Sequence, residues 1–184
     1  KELGTRLTGR YLTKELFPFS YTEFIKLKKL PDELNSFEKY IQSGGFPEFL
    51  VSNNPEILQN LVKDIVFRDI AIRYGIKNSK TLMDITLFLL SNVGKETTYN
   101  SLKKTFEVGS ANSVSDYLKW LEDCYLLFFL KKFSWSAKSI AVNPRKVYGI
   151  DTGLIQANSL SFTSDKGRLF ENAVFLFLRR KRFD

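Results

Sequence analysis

The sequence predicts a mainly α-helical chain with a small β component, and three observations predict it. Apolar residues Ile57, Leu58, Leu61, Val62, Ile65, Val66 and Ile70 recur at the 3.6-residue period of a helix. Three more helical patterns, each opened or closed by a cap or breaker residue, fill residues 82–125. Two strand-like runs rich in aromatic and aliphatic residues, 126–135 and 145–151, then follow.

Ser20 with Glu23 three residues on forms a capping box, so a helix is expected over 21–27, ended by Pro31. Residues 35–42 place Phe37, Tyr40 and Ile41 on one helical face before Gly44-Gly45 breaks the run. Phe46-Pro47-Glu48 begins another short turn or helix. Asn54-Pro55 supplies an N-cap and a proline at the first helical position, and opens an amphipathic helix to about residue 74, stopped by Gly75. Its polar face alternates Lys63, Asp64, Arg68 and Asp69, the pattern of a solvated face with local ion pairs.

Leu82, Ile85, Leu89, Leu90 and Val93 mark the next helix, closed by Gly94. Thr97 or Thr98 caps a second helix holding Leu102 and Phe106. Val108-Gly109-Ser110 makes a tight turn, and Ser110 starts a third helix with Val114, Tyr117, Leu118, Leu121 and Tyr125 inward. A polar connection, 136–144, separates the two strand runs. Three helices, a short turn between the second and third, then a β-hairpin is the winged-helix order. The last stretch, 169–183, reads as an apolar helix that wants a partner surface. With no Met before Lys1 and a helix stopping at Asp184, the chain is expected to be an internal fragment of a longer polypeptide.

Composition narrows the function. Formal net charge is +8, and the excess lies in the second half: residues 97–150 carry eight Lys and Arg against four Asp and Glu. A basic surface suits nucleic acid through counterion release, or serves solubility alone. The absence of histidine removes Ser-His and Cys-His pairs, the usual general base and most zinc sites. The single cysteine, Cys124, excludes an internal disulfide and sits in an apolar helical context. No glycine loop followed by Lys and Ser or Thr is present to cradle phosphate, and no metal site is expected. No run reaches the ~18 apolar residues of a membrane span, and no signal-peptide pattern opens the chain, so no membrane and a cytoplasmic location are expected.

In a winged helix the third helix enters the major groove. Its outward residues would be Asn112, Ser113, Ser115, Asp116 and Lys119; Asn reads adenine and Ser contacts phosphate or bases. The second helix adds Lys103 and Lys104, and the wing adds Lys131, Lys132, Lys138, Arg145 and Lys146 for phosphates. The third helix has no Arg, and Asp116 would face phosphate. Winged helices also dock proteins, so DNA and a partner protein both stand as candidate partners. The aromatic run Phe128, Phe129, Phe133 and Trp135 is the candidate apolar surface for a protein.

Several motifs together resemble a known family. Gly9-Arg10 with Leu16-Phe17-Pro18-Phe19-Ser20 and Glu23-Phe24 is similar to the segment after the nucleotide-binding core of certain prokaryotic AAA-type P-loop ATPases. Gly44-Gly45-Phe46-Pro47-Glu48, then Asp64-Ile65 with Arg68-Asp69-Ile70, resemble their next two signatures. Residues 146–154 and 167–172 resemble their C-terminal region.

The resemblance implies a division of the chain. Residues 1–77 would be the end of the ATPase core and a helical lid-like subdomain, 78–151 the winged helix, and 152–184 the start of a truncated nuclease-like region. It implies ATP and Mg for the intact protein and no cofactor for this fragment, which should neither bind ATP tightly nor hydrolyse it. Arg10 would serve as an arginine finger or sensor, since its planar fork neutralises charge developing on phosphate oxygens. Arg68 would be a weaker lid-type sensor, and Glu171 the first acid of the nuclease-like site. The expected function is a module that engages DNA or a partner protein, coupled to hydrolysis elsewhere in the polypeptide. The alternatives are a protein-docking scaffold and a winged-helix transcription regulator.

Overall fold

A computed structural model describes residues 15–136, 139, 143–160 and 165–181. Helix α1 spans Tyr21–Lys28, α2 Leu34–Ser43, α3 Pro47–Ser52 and α4 Pro55–Asp64. The capping box at Ser20 is present, with the Glu23 carboxylate 2.7 Å from the Ser20 amide. Asn54 caps α4 by accepting the Glu56 amide at 3.0 Å. Beyond α4 the helix does not simply continue: Ile65–Ile72 is π-helical. The buried positions Leu58, Val62, Val66 and Ile70 advance in steps of four, which a 3.6-residue turn does not keep in line for long. Widening the second half keeps Val66 and Ile70 on the core face.

Helix α5 (Ser79–Ser91), strand β1 (Glu96–Thr97), α6 (Tyr99–Thr105) and α7 (Ala111–Asp123) follow, then β2 (Leu127–Lys131) and β3 (Arg145–Gly149). The three strands form one antiparallel sheet in the order β1-β3-β2. The chain is thus mainly α with a small β component, as the sequence predicts. Both expected strand runs end early: residues 132–135 leave the ladder, and Asp151 already caps the next helix. Strand β1 is an addition; two residues carry no periodicity to read. Helix α8 (Thr152–Asn158) and helix α9 (Lys166–Arg180) end the described chain.

One apolar cluster joins Ile41 of α2, Val62 of α4, Leu82, Ile85 and Leu89 of α5, Leu118 of α7, Val147 of β3 and Leu176 of α9. Helix α9 is held there by more than apolar contact. The Asn172 side chain is fully buried; its Oδ1 accepts the Gly149 amide at 2.8 Å and its Nδ2 donates to the Gly149 carbonyl at 3.0 Å. A single side chain thereby does for the end of β3 what a neighbouring strand would do. The Phe175 ring stacks on Tyr148 at 4.1 Å.

A second buried polar contact ties distant motifs together. Asp151 caps α8 through the Leu154 amide at 2.9 Å and accepts the Gly45 amide at 2.6 Å. Gly44 holds φ +69°, and a Cβ there would strike the Asp151 carboxylate. A Cβ on Gly45 would strike the backbone of Phe19, and one on Gly153 the Ser43 carbonyl. The Phe-Pro-Phe-Ser, Gly-Gly-Phe-Pro and Asp-Thr-Gly motifs therefore meet at one point, where only glycine lets three backbones approach. Burial pushes the Asp151 carboxyl up to about 6, against the pull of its backbone N–H donors.

Candidate nucleic-acid interface

The segment 79–149 presents three helices, α5, α6 and α7, and the β2–β3 hairpin, whose sheet also takes in β1. Thr98 caps α6 in a reciprocal box with Ser101. Glu107 takes a left-handed backbone conformation at φ 51°, which turns the chain between α6 and α7. Ser110 then caps α7 by accepting the Ser113 amide at 3.0 Å. Val114, Leu118 and Leu121 are buried, so the opposite face of α7 points to solvent.

That outward face carries Asn112, Asp116 and Lys119, with Glu122 and Asp123 at its end, all exposed. Ser113 is half-buried and its hydroxyl lies 2.9 Å from that of Ser110, so the cap uses the group expected to serve recognition. Ser115 is half-buried. The α7 face holds one cation and three acids, an unfavourable surface for phosphate. Trp120 stacks on Tyr74 at 4.3 Å, which places the end of the π-helical segment against the flank of α7.

The cations gather elsewhere. Lys103 and Lys104 are exposed in the last turn of α6. In the hairpin, Lys131 and Arg145 are direct cross-strand partners, and Lys132 is exposed beside them. Like charges opposite one another on a ladder are destabilising. Among the described residues, no carboxylate lies within ion-pair distance of Lys131, Lys132 or Arg145. The Arg145 guanidinium rests over the Tyr99 ring at 4.5 Å. Together they border a cavity of about 170 Å³ that Thr98, Asn100 and Asn143 also line.

The remaining predicted residues are dispersed. Arg10 and Lys138 lie outside the described residues. Arg68 stands on the π-helical segment, largely exposed, 3.8 Å from Asp64. Lys146 does not join the hairpin cations; its Nζ donates to Glu171 at 2.9 Å. The Tyr148 hydroxyl donates to the same carboxylate oxygen at 2.7 Å. These two donors hold the Glu171 carboxyl below its ordinary range and anchor α9 to the sheet. Cys124 is half-buried, and burial pushes its thiol up. Among the described residues no three His, Cys, Asp or Glu side chains converge as a metal site, and no helix is long and apolar enough to cross a membrane.

Asp151 and Asn172 lie in the stretches 146–154 and 167–172 that carry the family resemblance, but sequence reasoning gives neither of them a partner. Their partners lie 106 and 23 residues away in the chain, and no periodicity signals such a pairing. Phe128 and Trp135 also separate sharply: Phe128 is 1% exposed and Trp135 is 96% exposed, although both belong to one aromatic run.

Residues 34–165 match the model of a family described as a domain of unknown function, DUF8612, and the chain belongs to that family. It is 34% identical over 202 residues to an uncharacterised protein of Methanocaldococcus jannaschii, a match covering 100% of this chain and 45% of that protein. It is 32% identical over 196 residues to an uncharacterised protein of Haemophilus influenzae, covering 99% of this chain and 48% of that protein. The chain therefore spans less than half the length of these curated relatives. No solved structure matches it.

Proposed function

We propose that this member of the family is a winged-helix module that engages DNA, and that its wing rather than its third helix supplies the contact. The single observation that carries this reading is the Lys131–Arg145 pair. Two cations face one another across a hairpin, with Lys132 alongside and no carboxylate among the described residues to compensate them. A phosphate backbone supplies the missing anions, and its released counterions drive binding. The order α5-β1-α6-α7 followed by β2 and β3 supplies Lys103 and Lys104 on the second helix as further phosphate contacts. The length of the relatives leaves room for the ATPase core that the sequence motifs suggest. In that setting ATP and Mg would be bound outside this chain, and hydrolysis there would move the module.

The test is fluorescence anisotropy with a random-sequence duplex at several salt concentrations, for the chain and for Lys131→Glu/Lys132→Glu. The reading expects binding that weakens steeply with salt and drops at least about tenfold in the variant. No binding at low salt, or unchanged binding in the variant, overturns it.

A second reading, a protein-docking scaffold, draws on α9. Phe170, Val174, Phe177 and Leu178 are exposed along that helix. If they form a docking surface, Phe177→Asp abolishes an association seen in sedimentation velocity and leaves DNA binding unchanged.

A further inference from the structure

We propose that the wing tip is a stacking platform for unpaired bases, so that the module prefers single strands and strand junctions to continuous duplex. This rests on the reading of the wing as a nucleic-acid contact and names the form of nucleic acid.

The observation is the fate of four aromatic side chains in one short stretch. Phe128 enters the core and Phe129 is half-buried against it. Past the end of β2, Phe133 is 73% exposed and Trp135 is 96% exposed. These two rings meet edge to face at 5.1 Å and 80°. That contact covers an edge of one ring and leaves most of the broad faces open. Two large aromatic residues standing in water within three positions forgo burial that the core has given Phe128.

The surroundings choose the occupant. Residues 124–150 contain five Lys and Arg and no Asp or Glu. Lys131 and Lys132 directly precede Phe133, and Arg145 faces Lys131. Ser134 and Ser136 flank Trp135 and add hydroxyls, not apolar surface. Leu130, 52% exposed, is the one large aliphatic side chain in water beside the two rings among the described residues of the hairpin, and three apolar groups set among lysines and serines are fewer than a protein groove or a lipid surface wants. A polyanion whose own flat faces are free fits both features. Base–aromatic stacking is sequence-tolerant and needs no hydrogen-bond code. A continuous duplex hides its base faces inside the stack, so only unpaired or terminal bases can use the rings.

The experiment compares three probes on the chain as it stands: a short oligothymidylate, a blunt duplex of the same length, and phosphatidylserine-containing vesicles. Binding is read by anisotropy and by tryptophan fluorescence. Trp120, the other tryptophan, is half-buried with one face stacked on Tyr74, so quenching is assigned to Trp135 by its loss in the Trp135→Phe variant. The proposal expects oligothymidylate to quench the fluorescence and to bind at least about tenfold tighter than the blunt duplex. Phe133→Ala/Trp135→Ala loses about tenfold on the single strand and stays within about twofold on the duplex; Trp135→Phe restores most of that affinity. Equal affinity for strand and duplex overturns this proposal and keeps the wing as a phosphate contact. Binding of the vesicles with a blue-shifted Trp135 and none of the oligothymidylate overturns it in favour of a lipid surface. No binding of either nucleic acid at low salt overturns both readings.

Discussion

Asp151 and Lys131 show two opposite ways of placing charge. Asp151 is fully enclosed, with backbone N–H groups of Gly45 and Leu154 aimed at it from 106 and three residues away in the chain. Lys131 stands in water opposite another cation, with no carboxylate among the described residues to meet it. The first arrangement satisfies its groups inside the molecule and leaves nothing for a ligand. The second leaves its charge to water and mobile counterions, on a surface open to an anion. The glycine-rich motifs build a junction of three backbones, while the residues that reach outward form no recognisable motif.

At the junction the three backbones leave no room for a methyl group. Gly153→Ala drives a methyl group into the Ser43 carbonyl, and backbone cannot yield as a side chain does. We expect a loss of about 3 kcal/mol or more in urea unfolding, at the upper end of overpacking costs. A variant as stable as the parent would show that the three motifs do not meet as described.

The next largest effect is in pH. The Asp151 carboxyl is raised in the folded chain to about 6, whereas an unfolded Asp titrates near 4. Its contribution is therefore fully present below about pH 4 and is lost as pH rises through about 6. Two pKa units correspond to roughly 3 kcal/mol. Compared with Asp151→Asn, which cannot titrate, the parent chain should lose about that much stability between about pH 4 and 7. Parallel stability curves for the two proteins would remove burial as the dominant influence on this carboxyl.

At the β2–β3 hairpin the sign of the stability effect reverses. Lys131→Glu turns a repulsive cross-strand pair into an attractive one opposite Arg145. Stability should rise by about 0.2–1 kcal/mol while duplex binding falls. Thermal melting and anisotropy on one preparation check both halves. A variant that loses binding by losing stability would dissolve the contrast between the two regions. The smallest effect belongs to Arg68→Ala: the side chain is largely exposed and its 3.8 Å pairing with Asp64 is screened by water. A change below about 0.5 kcal/mol is expected in urea unfolding.

Much of the helical scaffold is legible in the sequence because its signals are local. The Ser20–Glu23 box, the Asn54-Pro55 start and the left-handed Gly75 and Gly94 stops all appear where the residues place them. The burial of Val114, Leu118 and Leu121 follows from helical spacing alone. The π-helical widening is not legible, since the same apolar spacing reads as a plain α-helix. Helix α8 escapes sequence reasoning because it is buried nearly throughout and shows no polar face. At the candidate site, the identity of the cations is legible from charge, but their arrangement is not. That Lys131 faces Arg145 while Lys146 turns to Glu171 depends on strand register and on the position of α9. Where β2 ends likewise decides that Phe128 is core and Trp135 is surface.

The most direct test of the proposed division of labour between the β2–β3 hairpin and α7 is the salt dependence of duplex binding. The slope of log affinity against log salt changes by about 0.9 for each phosphate the protein ceases to neutralise. It would be measured for the parent chain, for Lys131→Ala/Arg145→Ala and for Asn112→Ala/Lys119→Ala. The account predicts that the wing pair lowers the slope by about 2, while the α7 pair lowers it by less than about 1. A large drop in the α7 variant with an unchanged slope in the wing variant would contradict it.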